Sequence, residues 1–144
     1  MRLRSILCGV DFSAASRKAL RAAAELARAS GSELIVLFSE DPMLVAAAKA
    51  AHDVRGSVSA TAEALDRFIG HAVRPRLRRV RAVVTSGTPC EEILKAARRR
   101  GAGLIVIGTH GKSKAARMLL GSTAESVLRR ARVPVLAVPS GERS

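Results

Sequence analysis

Leu104-Ile105-Val106-Ile107-Gly108-Thr109-His110-Gly111 is the stretch whose reading decides the fold. Four consecutive aliphatic residues ending in glycine read as a strand buried on both faces, the kind found in parallel sheets. Downstream, Gly121-Ser122-Thr123 leads into Ala124 to Arg130, a short helix. Glycine lets a backbone approach a ligand closely, and a helix N-terminus offers N–H groups and a favourable dipole to an anion. Residues 108 to 123 therefore read as a phosphate cradle.

The same grammar of apolar run, turn and helix extends through the chain. Ser5 to Val10 forms a first strand ended by Asp11, and Ser13 caps a helix that reaches about Ser30 and stops at Gly31. Leu20, Ala23 and Ala27 share one face of that helix. Glu33 to Phe38 is a second strand, followed by a loop at Ser39-Glu40-Asp41-Pro42 and a candidate helix from Met43 to Ala51. Another helix from about Ser57 carries an apolar stripe at Val58, Ala62, Leu65, Ile69 and Ala72, with Pro75 as its breaker. Arg81 to Ser86 is a third strand. Thr88, Pro89 and Glu91 form a capping-box pattern for the next helix, which Gly101 stops, and Ser122 with Glu125 repeats that pattern later. Val133 to Val138 supplies a fifth strand, with Pro134 at its beginning or at an edge. Strands alternating with helices imply right-handed crossovers and a parallel sheet covered on both faces. The expectation is a single α/β domain over residues 1–144, with a polar tail from about 140.

Composition narrows the classes. A chain of 144 residues supports one core, and an aromatic content of 2% suits alanine-rich helices on aliphatic strands. No apolar run approaches the roughly 20 residues of a membrane span. The beginning reads as no signal peptide, because its apolar part is short and Asp11 interrupts it, so cytoplasm is the expected compartment. Cys8 reads as a core thiol, whereas Cys90 sits near a helix start that could stabilise a thiolate. His52 and His71 lack metal-site spacing. The net charge of +13 favours anionic partners and could support nucleic-acid binding, although solvated helix faces are the simpler reading of the arginines. Phe12, Phe38 and Phe68, the only aromatic residues, each read as buried, which leaves no stacking platform for single strands.

Two common phosphate motifs fail on spacing. Gly111-Lys112-Ser113 would need a glycine at position 106, where Val106 stands, to be a Walker A loop. Gly101-Ala102-Gly103 precedes a strand instead of following one, and Val106 again occupies the third glycine position of a dinucleotide fingerprint. What remains is Gly108, Gly111, Gly121 and Ser122. With this spacing the sequence resembles the universal stress protein family, in its ATP-binding branch. The likeness also includes Val10-Asp11-Phe12-Ser13 with Ser16, Gly87-Thr88-Pro89, Leu119-Leu120-Gly121-Ser122-Thr123, and Val133-Pro134-Val135-Leu136-Ala137-Val138.

The resemblance implies a Rossmann-like open sheet of five parallel strands in the order 3-2-1-4-5. It implies ATP as the ligand, with Mg²⁺ held largely by the phosphates, and a homodimer formed through the fifth strands. The implied cofactor-binding residues are Asp11, Ser39, Ile107, Gly108, His110, Gly111, Gly121, Ser122 and Thr123. Among them Asp11 would bond the ribose or adenine, the glycines with Ser122 and Thr123 would cradle the phosphates, and Ser39 matches a position near adenine. Lys112, Lys114 and Arg117 lie in a basic stretch between the two glycine pairs. No residue constellation points to catalysis. Two alternatives stay open: a charge-driven nucleic-acid or chaperone-like interaction protein, and a binder of AMP or cyclic AMP.

Overall fold

The computed structural model of the chain describes residues 3–51, 54–110 and 120–141, with backbone alone at 54–59. In chain order the elements are β1 (Ser5–Val10), α1 (Ala14–Ser30), β2 (Glu33–Glu40), α2 (Pro42–Ala50), α3 (Val54–Ala72), β3 (Val80–Ser86), α4 (Pro89–Arg100), β4 (Leu104–Gly108), α5 (Ser122–Arg130) and β5 (Val135–Val138). The strands are parallel and ordered β3-β2-β1-β4-β5. The expected α/β class and strand order both hold.

Alternation along the strands divides the core into two layers. Ile6, Cys8, Leu34, Val36 and Val106 face α1 and α3, where Leu20, Ala23, Leu65 and Phe68 meet them. Leu7, Ile35, Leu37, Ile105 and Ile107 face α4 and α5, against Ile93, Ala97, Ala124 and Val127. The three inner strands are thus apolar on both faces, while β3 and β5 at the edges are half exposed.

Local signals explain most boundaries. The Ser13 hydroxyl accepts the Ser16 N–H at 3.1 Å, and Gly31 closes α1 in the left-handed conformation. Asp41 caps α2 through the Met43 N–H at 2.9 Å, with Pro42 in the first turn. Ser39 and Glu40 belong to β2 and not to a loop. Their backbone pairs with Thr85 and Ser86, and the Gly87 N–H continues the ladder to the Glu40 carbonyl at 3.0 Å. The stripe of α3 runs through Leu65, Phe68, Ile69 and Ala72, whereas Ala62 is exposed. Neither capping box forms. Thr88 makes no side-chain cap, Glu91 pairs with Arg130 instead, and Gly121, not Ser122, is the N-cap of α5. His71 is exposed, and His52 lies outside the described residues.

Ile35, fully buried in the centre of the sheet, and Leu136, 38% exposed on β5, test this layering. Ile35→Ala should destabilise by about 2–5 kcal/mol and Leu136→Ala by under about 1 kcal/mol in urea unfolding.

Candidate functional site

β1 and β4 are neighbours in space, yet their following helices pack on opposite faces of the sheet. A crevice must open beyond their carboxyl ends. It holds a cavity of about 490 Å³, inside the roughly 300–1,000 Å³ range of small-ligand sites. Leu37, Ile93 and Ile107 give it an apolar lining. Gly9 makes room for Ile93, because a Cβ at position 9 would stand 2.7 Å from the Ile93 Cδ1. Gly108 lets β4 pass against the first turn of α1, where a Cβ would meet the Ala15 carbonyl oxygen at 3.1 Å.

One wall carries Asp11. Its Oδ1 accepts the Ser13 N–H at 3.0 Å, and its own N–H donates to the Ser16 hydroxyl at 3.2 Å. An ionised carboxylate has about four acceptor sites in all. Phe12, next in the chain, has φ of 65°, which for a bulky residue costs of order 1–3 kcal/mol. Its ring packs 4.5 Å from Phe38 and 5.4 Å, edge-on, from Phe68. Phe68 is buried as expected, but Phe12 and Phe38 are only half-buried.

The opposite wall is the start of α5. The Gly121 N–H donates to the Thr109 carbonyl at 2.5 Å, and the Thr109 N–H donates to Val138 at 3.0 Å, so strand end and helix start are tied together. Helical bonding begins with the Glu125 N–H to Gly121. The N–H groups of Ser122, Thr123 and Ala124 therefore have no helical partner, and no side chain caps the turn. Gly121 as N-cap has no side chain to occupy these first-turn donors. The Thr109 hydroxyl and the His110 Nδ1 lie 3.1 Å apart.

Asp11, Ser39, Ile107, Gly108, His110, Gly121, Ser122 and Thr123 all line this single cavity. Gly111, Lys112, Lys114 and Arg117 lie outside the described residues. Ser39 also donates from its hydroxyl to the Gly87 carbonyl at 2.7 Å. Asp41 and Leu44 at the start of α2, and Pro89 and Ile93 of α4, line the cavity without having been singled out from the sequence. The Asp41-Pro42 cap signal was available, but placing α2 beside the crevice required knowing that β2 runs to Glu40. Met43 and Leu44 are 79% and 69% exposed, and α2 has no buried residue.

The described residues hold no group of three or more His, Cys, Asp or Glu able to bind a metal. Cys90 is no stabilised thiolate. Burial raises its pKa, and neighbouring Arg130 offsets this only in part. Cys8 is raised further, to about 12, by complete burial.

The residues from 2 to 139 match the model of the universal stress protein family. The chain belongs to the universal stress protein family. A universal stress protein encoded beside a sulfhydrylase gene in Thermus aquaticus is 32% identical over 94% of this chain and 98% of its own length. Universal stress protein MJ0577 of Methanocaldococcus jannaschii is 40% identical over 60 residues. That stretch spans only 37% of its length, and the corresponding match to a second protein of the same organism spans 35%. The solved structure of MJ0577 superposes with a TM-score of 0.84 at 26% identity, covering all of both chains. A universal stress protein solved in complex with cAMP shares the fold at a TM-score of 0.72 and 24% identity, covering 98% of this chain and all of the other.

Two measurements check the site. Gly108→Val should lower stability by about 1–3 kcal/mol, because the new side chain must displace the first turn of α1. Both thiols should resist a disulfide reagent near neutral pH in the folded protein, and both should react once it is unfolded in guanidinium. Their raised pKa values leave little thiolate, and burial blocks access.

Proposed function

We propose that this family member binds ATP and acts as a nucleotide-responsive regulatory or protective module in the stress response, without being an enzyme. The observation that carries the reading is the pairing, across one cavity, of the Asp11 carboxylate with the uncapped start of α5. Hydroxyls of a ribose, or the amino group of adenine, suit Asp11 as donors. The phosphates suit the N–H groups of Ser122, Thr123 and Ala124, with the positive end of the helix dipole behind them. Leu37, Ile93 and Ile107 supply an apolar surface for the base.

Phosphoryl transfer needs a placed nucleophile and, in most enzymes, protein-held metal. Among the described residues, the titratable side chains that line this cavity are Asp11, Asp41 and His110. A divalent cation would ride on the phosphates of the nucleotide. We further propose a cytoplasmic protein that pairs as a homodimer through β5, an edge strand with an exposed Leu136. AMP and cyclic AMP are the competing ligands, a choice supported by the relative solved with cAMP.

Titration calorimetry with ATP, AMP and cyclic AMP in competition tests the ligand. ATP at roughly 100 times its Kd should add about 2.7 kcal/mol to unfolding. Gly121→Val, which puts a branched side chain at the cap, should weaken ATP at least about tenfold, or about 1.4 kcal/mol. Absence of any heat or stabilisation at millimolar ATP overturns the reading. Tighter AMP or cyclic AMP replaces the ligand and keeps the site.

A further inference from the structure

We propose that the end of the molecule opposite the cavity binds the phosphate backbone of double-stranded nucleic acid. The sequence shows a surplus of basic residues, and the topology sorts them. In a parallel sheet every helix that leads directly into a strand ends, and every strand begins, at the same end of the molecule; α2, which leads into α3, is outside this rule. Here those segments carry Arg4 before β1, Arg28 at the end of α1, Arg74, Arg76, Arg78 and Arg79 before β3, Arg98, Arg99 and Arg100 at the end of α4, and Arg129, Arg130 and Arg132 before β5. All are exposed, and this end carries no lysine.

Backbone contacts hold these segments side by side. The Glu33 N–H donates to the Arg4 carbonyl and the Leu34 N–H to the Arg79 carbonyl, both at 2.9 Å. Arg28 Nη2 reaches the Pro75 carbonyl at 2.5 Å, the Gly103 N–H bonds Ser5, and the Ile105 N–H bonds Pro134. Acidic groups are few at this end. Glu33 is paired with Arg81, and Glu25 lies higher on α1. Arg129 and Arg130 pair with Glu125 and Glu91. Arg4, Arg76, Arg78, Arg79, Arg99, Arg100 and Arg132 make no ion pair with an acidic group among the described residues, whereas Arg98 lies near enough to Glu91 to help lower its pKa. By contrast Asp11, Glu40, Asp41 and Glu92 lie toward the cavity end, while Glu91 and Glu125 are taken up by Arg130 and Arg129.

Helix dipoles alone do not account for this. Each helix C-terminus carries about −0.5 of a charge, so four of them offset about two arginines. Arg4, Arg76, Arg78, Arg79 and Arg132 stand outside any last helical turn. A groove of about 360 Å³ between α4 and the α5–β5 connection is lined by Arg98, Arg130 and Arg132 together with Glu91, which pairs with Arg130.

The chemistry fits a phosphodiester. Guanidinium forks bind phosphate oxygens in pairs and give up hydration more readily than ammonium groups. Five strands at about 4.8 Å spacing set the arginine row across roughly 19 Å. A duplex presents one charge per about 1.7 Å, hence about 11 along that length. No aromatic residue lies at this end, so single strands find no stacking surface.

Fluorescence anisotropy with a labelled DNA duplex over a salt series tests the proposal. About six to eight phosphate contacts predict a slope of log K against log salt near −5 to −7, equal for two unrelated sequences. The triple variants R76Q/R78Q/R79Q and R98Q/R99Q/R100Q should each flatten the slope by about 2.7 if all three arginines touch phosphate. R21Q/K49Q/R67Q removes the same charge elsewhere and should change it far less. Thermal melting verifies that all three variants fold. Equal losses in all three overturn the assigned face. Tighter binding to a single strand, or to vesicles containing phosphatidylserine, overturns the duplex. So does no duplex binding at physiological salt.

Discussion

The close passage of β4 against the first turn of α1, at Gly108, is the contact on which the site depends. A Cβ there would press on the Ala15 carbonyl at 3.1 Å. Because nothing intervenes, the strand carrying Thr109 and His110 and the turn carrying Asp11 and Ser16 converge on one crevice. The ends of that crevice are fixed by short bonds: Thr109 to Gly121 on one side, and Asp11 with Ser13 and Ser16 on the other. The buried aliphatic runs of β1, β2 and β4 supply the rigidity behind it, since inner strands packed on both faces have little freedom to shift.

Much of this was legible in the residues, for identifiable reasons. Leu104 to Ile107 is apolar without alternation, which a strand covered on both faces requires. Ser13 and Gly31 are strong stop signals at the two ends of α1, and both serve as read. Ser39 and Glu40 misled because a polar pair reads as a loop, while their pairing to β3 is made by backbone that side-chain identity does not reveal. Thr88 holds the N-cap position of α4 with Pro89 in the first turn, as read, but its side chain makes no cap bond; the box at Ser122 misled for a related reason. A Ser or Thr three residues before Glu fits the pattern, but whether that residue is the cap or the first helical position depends on where the previous strand lets go. At α5 the answer is one residue earlier than the pattern suggests.

The eight described site residues came together in the cavity, partly from glycine spacing and partly from the family resemblance, which supplied Asp11 and Ser39. The contribution of α2 was not legible, since Leu44 reaches the cavity only by virtue of tertiary placement. Charge was legible as a quantity but not as a distribution. Arginines that look scattered along the chain fall before strands and after helices, and parallel topology gathers those positions at one end. Acidic residues favour first turns, as Glu91, Glu92 and Glu125 do, and two of these are neutralised by Arg130 and Arg129.

The helix α2 has a consequence for how occupancy of the cavity is felt. Nine residues fall short of the roughly 12–15 that a helix needs to persist by itself in water. With no buried side chain, α2 also draws little from packing, so its opening free energy belongs to the low end of the molecule's range. Its first turn nevertheless lines the cavity through Asp41 and Leu44. Amide exchange in α2 is therefore a natural gauge of the site: whatever rests against Leu44 slows it, while exchange in β1 and β4 stays governed by global unfolding.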